Sequence, residues 1–186
     1  VVTNALGTDA PTGSVGIPVP GLEVRLVDTD GSDVLIGDSG ELWVRGPNVF
    51  QGYLDDPDAT RRALTEDGWL RTGDLAVVDD KGYLYLVDRV KDLIIVSGFN
   101  VFPAEVEEVL IEHPRIDAVA VVGVPHPHSG EAVKAYVVVG EGAIEEDDVV
   151  AFCAEYLPSY KCPSKVIFVD EIPRGLGGKV LRRALR

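Results

Sequence analysis

Three stretches of this chain combine charged residues with glycines in patterns that indicate chemistry rather than packing. The first, at 69–75, reads Trp-Leu-Arg-Thr-Gly-Asp-Leu, and Gly73 in it permits a ligand to approach the backbone closely. Asp74 follows it, where a strand is predicted to begin. A carboxylate held there can accept two hydrogen bonds from a vicinal diol, such as that of a ribose. An aspartate that only caps a turn is the alternative interpretation.

The second stretch, 88–108, begins with a charged joint between two apolar segments. Charges occupy four of its first five positions: Asp88, Arg89, Lys91 and Asp92. For these charges alone, a solvated hairpin end is an equally good interpretation. The apolar run 93–96 then breaks at an exposed turn, Ser97-Gly98, and Pro103 marks the start of a helix, where its missing N–H costs nothing.

The third stretch, 172–183, places three glycines before a single lysine, Lys179. This pattern predicts a mobile loop that presents one cation at the start of a short basic helix, 178–186. From Lys161 to Arg186 there are seven basic and two acidic residues, in a chain whose net charge is −14. A local positive patch on an acidic protein indicates a phosphate-bearing ligand, although basic C-terminal helices are common in general.

The composition bounds the function classes. At 186 residues, with 46% hydrophobic and 26% charged residues, the chain has the makeup of one large or two small globular domains. Its charge of −14 argues against general binding to nucleic acid or to anionic membranes. No apolar run approaches the roughly 20 residues that span a bilayer, and no basic-apolar leader opens the sequence.

Cysteine and histidine usage predicts neither a disulfide framework nor a metal site. Cys153 and Cys162 read as free thiols in a reducing compartment, so we expect a cytoplasmic protein, with peripheral contact to a membrane left open. His126 and His128 flank a proline without a third ligand, so we expect no metal in this part of the protein. The first residue is Val1 and no methionine occurs, so we expect the chain to be a fragment.

Periodicity predicts an α+β fold in which a small β-barrel-like or sandwich-like subdomain precedes a compact α+β domain. We assign 1–88 to the end of a large N-terminal domain, 89–92 to a hinge and 93–186 to a mobile C-terminal domain. An irregular connector is expected at 1–20. The first part is predicted to hold strands at 22–27, 41–45, 74–79 and 82–87 and a helix at 56–64. The second is predicted to hold helices at 103–113 and 144–156 and strands at 116–124, 132–139 and 165–169.

Taken in order, the three stretches resemble the adenylate-forming superfamily, which includes acyl-CoA synthetases, coumarate ligases, luciferases and peptide-synthetase adenylation domains. The motifs are Trp-x-Arg-Thr-Gly-Asp, Asp-Arg-x-Lys-Asp-x-Ile-x-x-Ser-Gly-x-Asn-x-x-Pro-x-Glu and Pro-x-x-x-x-Gly-Lys. Gly13-Ser14-Val15-Gly16 with Pro18-Val19-Pro20-Gly21, and Gln51-Gly52-Tyr53, are similar to the family as well. The resemblance covers essentially the whole chain.

The resemblance implies two half-reactions, in which a carboxylate attacks the α-phosphate of ATP and the thiol of CoA then displaces AMP. It implies that Asp74 binds the ribose hydroxyls and that Arg89 contacts the ribose or a nearby phosphate. It further implies that Lys179 bridges the substrate carboxylate and α-phosphate oxygens, stabilising charge as it develops.

The same resemblance implies a moving domain. Lys91 matches the hinge about which the small C-terminal domain rotates between steps, and 96–100 would then line the pantetheine channel. The channel residues are Ser97, Gly98 and Phe99. A side chain in place of Gly98 would narrow a passage for a slim ligand.

Two departures from the family pattern stand out. The usual glycine before the hinge arginine is Asp88, and the usual Thr-Pro-Ser before Gly-Lys is Gly175-Leu176-Gly177. The family's phosphate loop, its Mg²⁺-supporting residues and its acyl and adenine pockets lie upstream of Val1. We therefore expect the fragment alone to be inactive.

The expected function of the intact protein is that of an AMP-forming acyl-CoA ligase acting on a fatty acid, with ATP, Mg²⁺ and CoA as cofactor and co-substrates. CoA is favoured as acceptor because no carrier segment follows Arg186. The alternatives are an adenylation domain that serves a carrier protein, and a non-catalytic nucleotide- or CoA-binding module. Lys179 is also a candidate for regulation by a lysine acetyltransferase, since acetylation would remove its charge.

Overall fold

The computed structural model describes residues 2–4 and 10–186, and it divides into two compact units between Lys91 and Asp92. Residue 1 and residues 5–9 of the predicted connector lie outside the described residues. The division falls inside the charged joint assigned to a hinge, and a single turn of 3₁₀ helix, Val90–Asp92, spans it. That the joint acts as a hinge stays a prediction.

The first unit is mainly β-structure. Its elements are β1 (Val2–Thr3), β2 (Ile17–Pro18), β3 (Glu23–Val27), β4 (Gly40–Arg45), helix α1 (Pro57–Ala63), β5 (Leu70–Val78) and β6 (Leu84–Arg89). Strands β3 to β6 form an antiparallel sheet in chain order. Because side chains alternate along a strand, Leu42 and Val44 are buried in the core while Trp43 and Arg45 point to the opposite face.

Two expectations for this unit are corrected. The four-stranded sheet is open, with β3 and β6 as its ends, and the described residues do not close it into a barrel. Within the described part of the chain, strands β3 and β6 each pair with only one neighbour in this sheet and not with each other. The predicted irregular connector also contains a short antiparallel pair, in which Val2 lies opposite Pro18 and Thr3 opposite Ile17.

The second unit packs helices against a mixed sheet. Its elements are β7 (Ile94–Val96), β8 (Phe99–Val101), α2 (Pro103–Ile111), β9 (Ile116–His126), β10 (Gly130–Val139), α3 (Glu146–Tyr156) and β11 (Lys165–Phe168). Strand β10 pairs with β9 and β7 antiparallel and with β11 parallel.

Strand β9 is buried on both faces, which explains its continuous apolar run. Val119 and Val121 pack in the cluster that contains helices α2 and α3, while Ala120 and Val122 pack with residues of the C-terminal segment. The α+β fold class is confirmed. No helix in the described part of the chain is long and apolar enough to cross a membrane.

The predicted basic helix at 178–186 is wrong. Residues 173–181 form a tight hairpin instead, with Arg174 bridged to Val180, and only one 3₁₀ turn, Arg182–Ala184, follows. The physical reason lies in the backbone, because the N–H of Leu181 donates to Pro173 O (2.8 Å) across the hairpin rather than to a preceding helical turn. Lys179 therefore lies on a hairpin arm and not at a helix start.

Candidate active-site residues

Asp74 lies at a bulge in strand β5. Glu41 on β4 faces Leu75, whereas Trp43, two residues further, faces Arg71, four residues back along β5. Between these two pairs, β5 has two more residues than β4, and they form a local protrusion of the strand that contains Asp74. Bulges of this kind redirect a side chain and are frequent beside active sites.

Two hydrogen bonds hold this bulge to strand β4, and a third lies within it. The Thr72 hydroxyl donates to Leu42 O at 2.7 Å and accepts from the Asp74 N–H at 3.1 Å. The Gly73 N–H donates to Glu41 Oε1 at 3.1 Å. The backbone on both sides of the carboxylate is thus fixed by its immediate neighbours.

Arg89 lies opposite Asp74 on strand β6. Its Nε is 3.0 Å from Asp74 Oδ1, and the two side chains are 51% and 29% exposed. An exposed pair of this kind adds about 0–1 kcal/mol to stability. The structure brings the two predicted nucleotide-binding residues together, and their exposure leaves both accessible to a polar ligand.

The predicted hinge residue, Lys91, is exposed within the turn Val90–Asp92. The next residue, Asp92, is 8% exposed and begins the second unit. A surface lysine thus directly precedes a buried acid.

Ser97 and Gly98 connect β7 to β8 as a two-residue hairpin turn. Both have positive φ, 51° and 86°, as a type I′ turn requires. The Ser97 N–H donates to Ser129 O at 2.8 Å, which ties the turn to the end of β10. A Cβ at position 98 would meet open space in the described part of the chain, so within this unit backbone conformation, rather than crowding, explains the glycine.

Phe99 follows this turn and is 56% exposed. Its ring stacks on Tyr160 with centroids 4.9 Å apart. The predicted channel residues therefore lie together at one exposed turn, and their contact with CoA stays a prediction.

Lys179 is presented by the hairpin 173–181. The Gly175 N–H donates to Lys179 O, and the Gly178 N–H donates to Gly175 O, both at 2.9 Å. Gly178 has φ +75°, a conformation that costs other residues energy. The Lys179 side chain is exposed, and among the described residues it has neither an ion pair nor a hydrogen bond.

A cluster of charged side chains at the base of this hairpin was not predicted from the sequence. Arg182 pairs with Glu107 at 2.7 Å and approaches Asp92 at 4.0 Å, and Arg186 lies 3.4 Å from Asp92. Glu107 lies in helix α2, far from Arg182 in the sequence. The partners lie up to 94 residues apart, so no local pattern links them.

The remaining candidates do not form a metal centre. The rings of His126 and His128 lie 5.9 Å apart, and Ser129 Oγ is 2.7 Å from His126 Nδ1. The described residues hold no group of three or more His, Cys, Asp or Glu side chains able to bind a metal ion.

Burial, with a smaller effect of Cys162, raises the pKa of the Cys153 thiol to about 12, so this thiol stays protonated at neutral pH.

Comparison with protein families gives two matches, to separate parts of the chain. Residues 1–54 match the family described as AMP-binding enzyme, and residues 105–179 match the AMP-binding enzyme C-terminal domain. The chain is also 50% identical, over all of its 186 residues, to a long-chain-fatty-acid–CoA ligase of Escherichia coli O157:H7. It spans 33% of that relative's length.

Solved structures of related enzymes are also similar to this chain. The crystal structure of ATP-bound MatB from Rhodopseudomonas palustris matches with a TM-score of 0.90 and 42% identity, over 98% of this chain and 37% of that one. The o-succinylbenzoate CoA synthetase of Bacillus subtilis, in complex with the acyl-adenylate intermediate OSB-AMP, matches with a TM-score of 0.84 and 37% identity. That match covers 94% of this chain and 35% of the synthetase.

Proposed function

Because this chain belongs to the AMP-binding enzyme family, we propose that it is the C-terminal part of an AMP-forming acyl-CoA ligase that acts on a fatty acid. The chain spans about a third of the curated relatives it matches, so this activity is assigned to the intact protein. The fatty-acid substrate is supported by the long-chain-fatty-acid–CoA ligase that is 50% identical to it.

In the first half-reaction, a carboxylate oxygen of the acid attacks the α-phosphorus of ATP and pyrophosphate leaves. Asp74 accepts hydrogen bonds from the two ribose hydroxyls, and Arg89, 3.0 Å from it, donates to the ribose or a nearby phosphate oxygen. Lys179 places its ammonium between the carboxylate and the α-phosphate, where negative charge develops.

In the second half-reaction, the sulfur of CoA attacks the acyl carbonyl carbon and AMP leaves. The turn at Ser97 and Gly98, with Phe99, borders the pantetheine path. Rotation about Lys91 brings this turn into place and withdraws Lys179. The exposed positions of these residues are compatible with that exchange.

The observation that carries the proposal is the isolation of Lys179. The ammonium of Lys179 is exposed and has no partner in the described residues of a chain with net charge −14. An unpaired cation at the end of a glycine hairpin is available to an anionic substrate.

The proposal extends to Mg²⁺, to cell compartment and to regulation. The described residues provide no cluster for Mg²⁺, and we expect its ligands upstream of Val1. The free thiols Cys153 and Cys162 favour the cytoplasm.

Lys179 is accessible to a lysine acetyltransferase, and acetylation would abolish its role in adenylation. Mass spectrometry that finds Lys179 never acetylated in cells would refute this part of the proposal.

The test measures ATP–pyrophosphate exchange and CoA-thioester formation by the intact protein with a panel of fatty and aromatic acids. Wild type should give both products, and Lys179→Ala should lose about 100- to 1,000-fold in exchange, as for other single charge-stabilising groups. Exchange without thioester would indicate a carrier-protein acceptor instead. No exchange with any acid would refute the enzyme assignment and favour a binding module.

A further inference from the structure

We propose that Arg182 is a positioning residue for Lys179, and that it acts by fixing the base of the 173–181 hairpin to helix α2 through Glu107. The inference rests on the proposed function of Lys179 in adenylation. It assigns a role to a residue that is not expected to touch the substrate.

In the contact between Arg182 and Glu107, one guanidinium nitrogen donates to both carboxylate oxygens. Arg182 Nη2 donates to Glu107 Oε1 at 2.8 Å and to Oε2 at 2.7 Å. The side chains are only 18% and 19% exposed. A charge-assisted contact shielded from water to this extent is stronger and better directed than a surface ion pair.

The same two side chains also hold the peptide of Val121 on strand β9. Glu107 Oε1 accepts from the Val121 N–H at 2.7 Å, and Arg182 Nε donates to the Val121 carbonyl oxygen at 3.2 Å. Among the described strands, β9 pairs only with β10, so these backbone groups lie on its open edge. The ion pair therefore provides hydrogen-bond partners for the N–H and carbonyl groups of Val121, on an edge where another strand could otherwise pair.

A second attachment secures the segment beyond Arg182. Asp92 Oδ1 lies 3.4 Å from Arg186 Nη2, and Asp92 Oδ2 lies 4.0 Å from Arg182 Nη1. The Tyr136 hydroxyl donates to Leu185 O at 2.7 Å. The last residues of the chain are thus fastened to the sheet and to the first residue of the second unit.

The position of Lys179 depends on these attachments because, within the described residues and apart from the packing of Val180 against the core, the hairpin is hydrogen-bonded only to itself and to the turn that follows it. Its far end is exposed, with Leu176 entirely in solvent, and Lys179 has no side-chain partner among the described residues. The arm is closed by the bond from Leu181 N–H to Pro173 O, and Arg182 is the next residue. A shift of about 1 Å in a reacting group can reduce a rate by about 100-fold.

The experiment uses the intact protein and separates the two half-reactions. Pyrophosphate exchange reports adenylation, and thioester formation from supplied acyl-adenylate and CoA reports the second step, which the proposal assigns to the Ser97–Gly98 turn. Arg182→Gln should reduce the kcat of exchange by about 100-fold, with the KM for ATP and the second step unchanged.

Arg183→Gln is the matched control. It removes the same charge one residue away, and Arg183 is exposed without an ion pair among the described residues. It should behave as wild type in both assays. Arg182→Lys retains the charge but cannot donate to Glu107 and to the Val121 carbonyl oxygen from two separate nitrogens, so it should fall between wild type and Arg182→Gln.

Glu107→Gln should give the same selective loss as Arg182→Gln, and the double variant should be no worse than either single variant. Equal losses in both half-reactions, or an Arg182→Gln rate equal to that of Arg183→Gln, would overturn the proposal. If Arg182→Gln does not fold, Arg182→Lys decides by the same ratio of half-reactions. If wild type gives no pyrophosphate exchange, the proposed function itself is refuted. If Lys179→Ala loses exchange while Arg182→Gln exchanges at the wild-type rate, only this inference is refuted.

Discussion

Asp74 and Lys179, the two residues proposed to hold the ribose and the α-phosphate of the nucleotide, are supported in opposite ways. Asp74 lies within strand β5, and its neighbours Thr72 and Gly73 bond directly to strand β4. Lys179 lies on a hairpin that is held to the rest of its unit by the packing of Val180 and, three residues after Lys179, by the hydrogen bonds of Arg182. One residue is fixed by its own sheet and the other by contacts at the base of an arm.

The difference matches the demands of the proposed chemistry. A residue that holds the nucleotide through both half-reactions benefits from rigid local support. A cation required in only one half-reaction is better placed on a projecting arm, whose position is set as a unit. We therefore expect substitution of a residue that supports Asp74, such as Thr72, to affect stability and nucleotide binding together, and substitutions around Lys179 to affect adenylation but not the second half-reaction.

Replacement of the Asp74 carboxylate tests the fixed side of this comparison. Asp74→Asn in the intact protein should lower kcat/KM for ATP by a factor equivalent to about 2 kcal/mol, because hydrogen bonds to the charged form are lost. The melting temperature should change little, since the ion pair with Arg89 is largely exposed. Steady-state kinetics against ATP measures the effect.

Asp80→Asn is the control for Asp74→Asn, because it removes an exposed acid from the turn between β5 and β6. It should leave kcat/KM for ATP at the wild-type value. Equal kinetics for the two variants would show that Asp74 does not bind the nucleotide.

Two neighbouring glycines test whether the arm needs its own geometry. Gly178 has φ +75° and Gly177 does not have a left-handed φ, while a Cβ at either position would meet open space within the described residues. Gly178→Ala should therefore cost about 1–2 kcal/mol of local conformational energy and reduce adenylation, measured by pyrophosphate exchange.

Gly177→Ala should be neutral or slightly stabilising, because alanine restricts only the unfolded chain there. Loss of exchange in Gly177→Ala as large as in Gly178→Ala would mean that the turn needs flexibility, rather than the left-handed conformation at 178.

The Thr72 hydroxyl offers a smaller test of local support. Thr72→Val keeps the β-branched shape but removes the bonds to Leu42 O and to the Asp74 N–H. We expect a loss of about 1 kcal/mol in the free energy of unfolding, together with a higher KM for ATP. Thr65→Val, which removes a hydroxyl that accepts from Trp69 N–H away from the bulge, should destabilise without the change in KM.

Much of the fold follows from local sequence. Alternation in 41–45 and the turn residues before Tyr83 predict strands and a hairpin, and the structure has both. The Asp56 cap, which accepts from Ala59 N–H, and Pro103 mark the helix starts where they are observed. These signals work because caps, turns and period-two alternation depend on residues only a few positions apart.

The remaining features depend on distant contacts. Residues 178–186 are rich in Leu, Ala and Arg, which favour helix, yet Val180 bridges Arg174 and the helix does not form. The pair of Arg182 with Glu107 joins residues 75 positions apart. One sequence contains no signal for such a pair, because either residue alone is an ordinary surface charge.

The two cysteines give an independent measure of the second unit's core, away from both candidate sites. Cys153 is fully buried on helix α3, and burial raises its pKa from 9.0 to about 12, whereas Cys162 is partly exposed. A thiol-specific reagent at pH 8 should therefore label Cys162 alone in the native protein and both thiols in denaturant.

Between pH 9 and about 12 the unfolded Cys153 releases its proton while the folded one keeps it, so the free energy of unfolding should fall as pH rises. Cys153→Ala should make this fall shallower than in wild type, and Cys162→Ala is the control; identical pH profiles for wild type and Cys153→Ala would contradict the burial of this thiol.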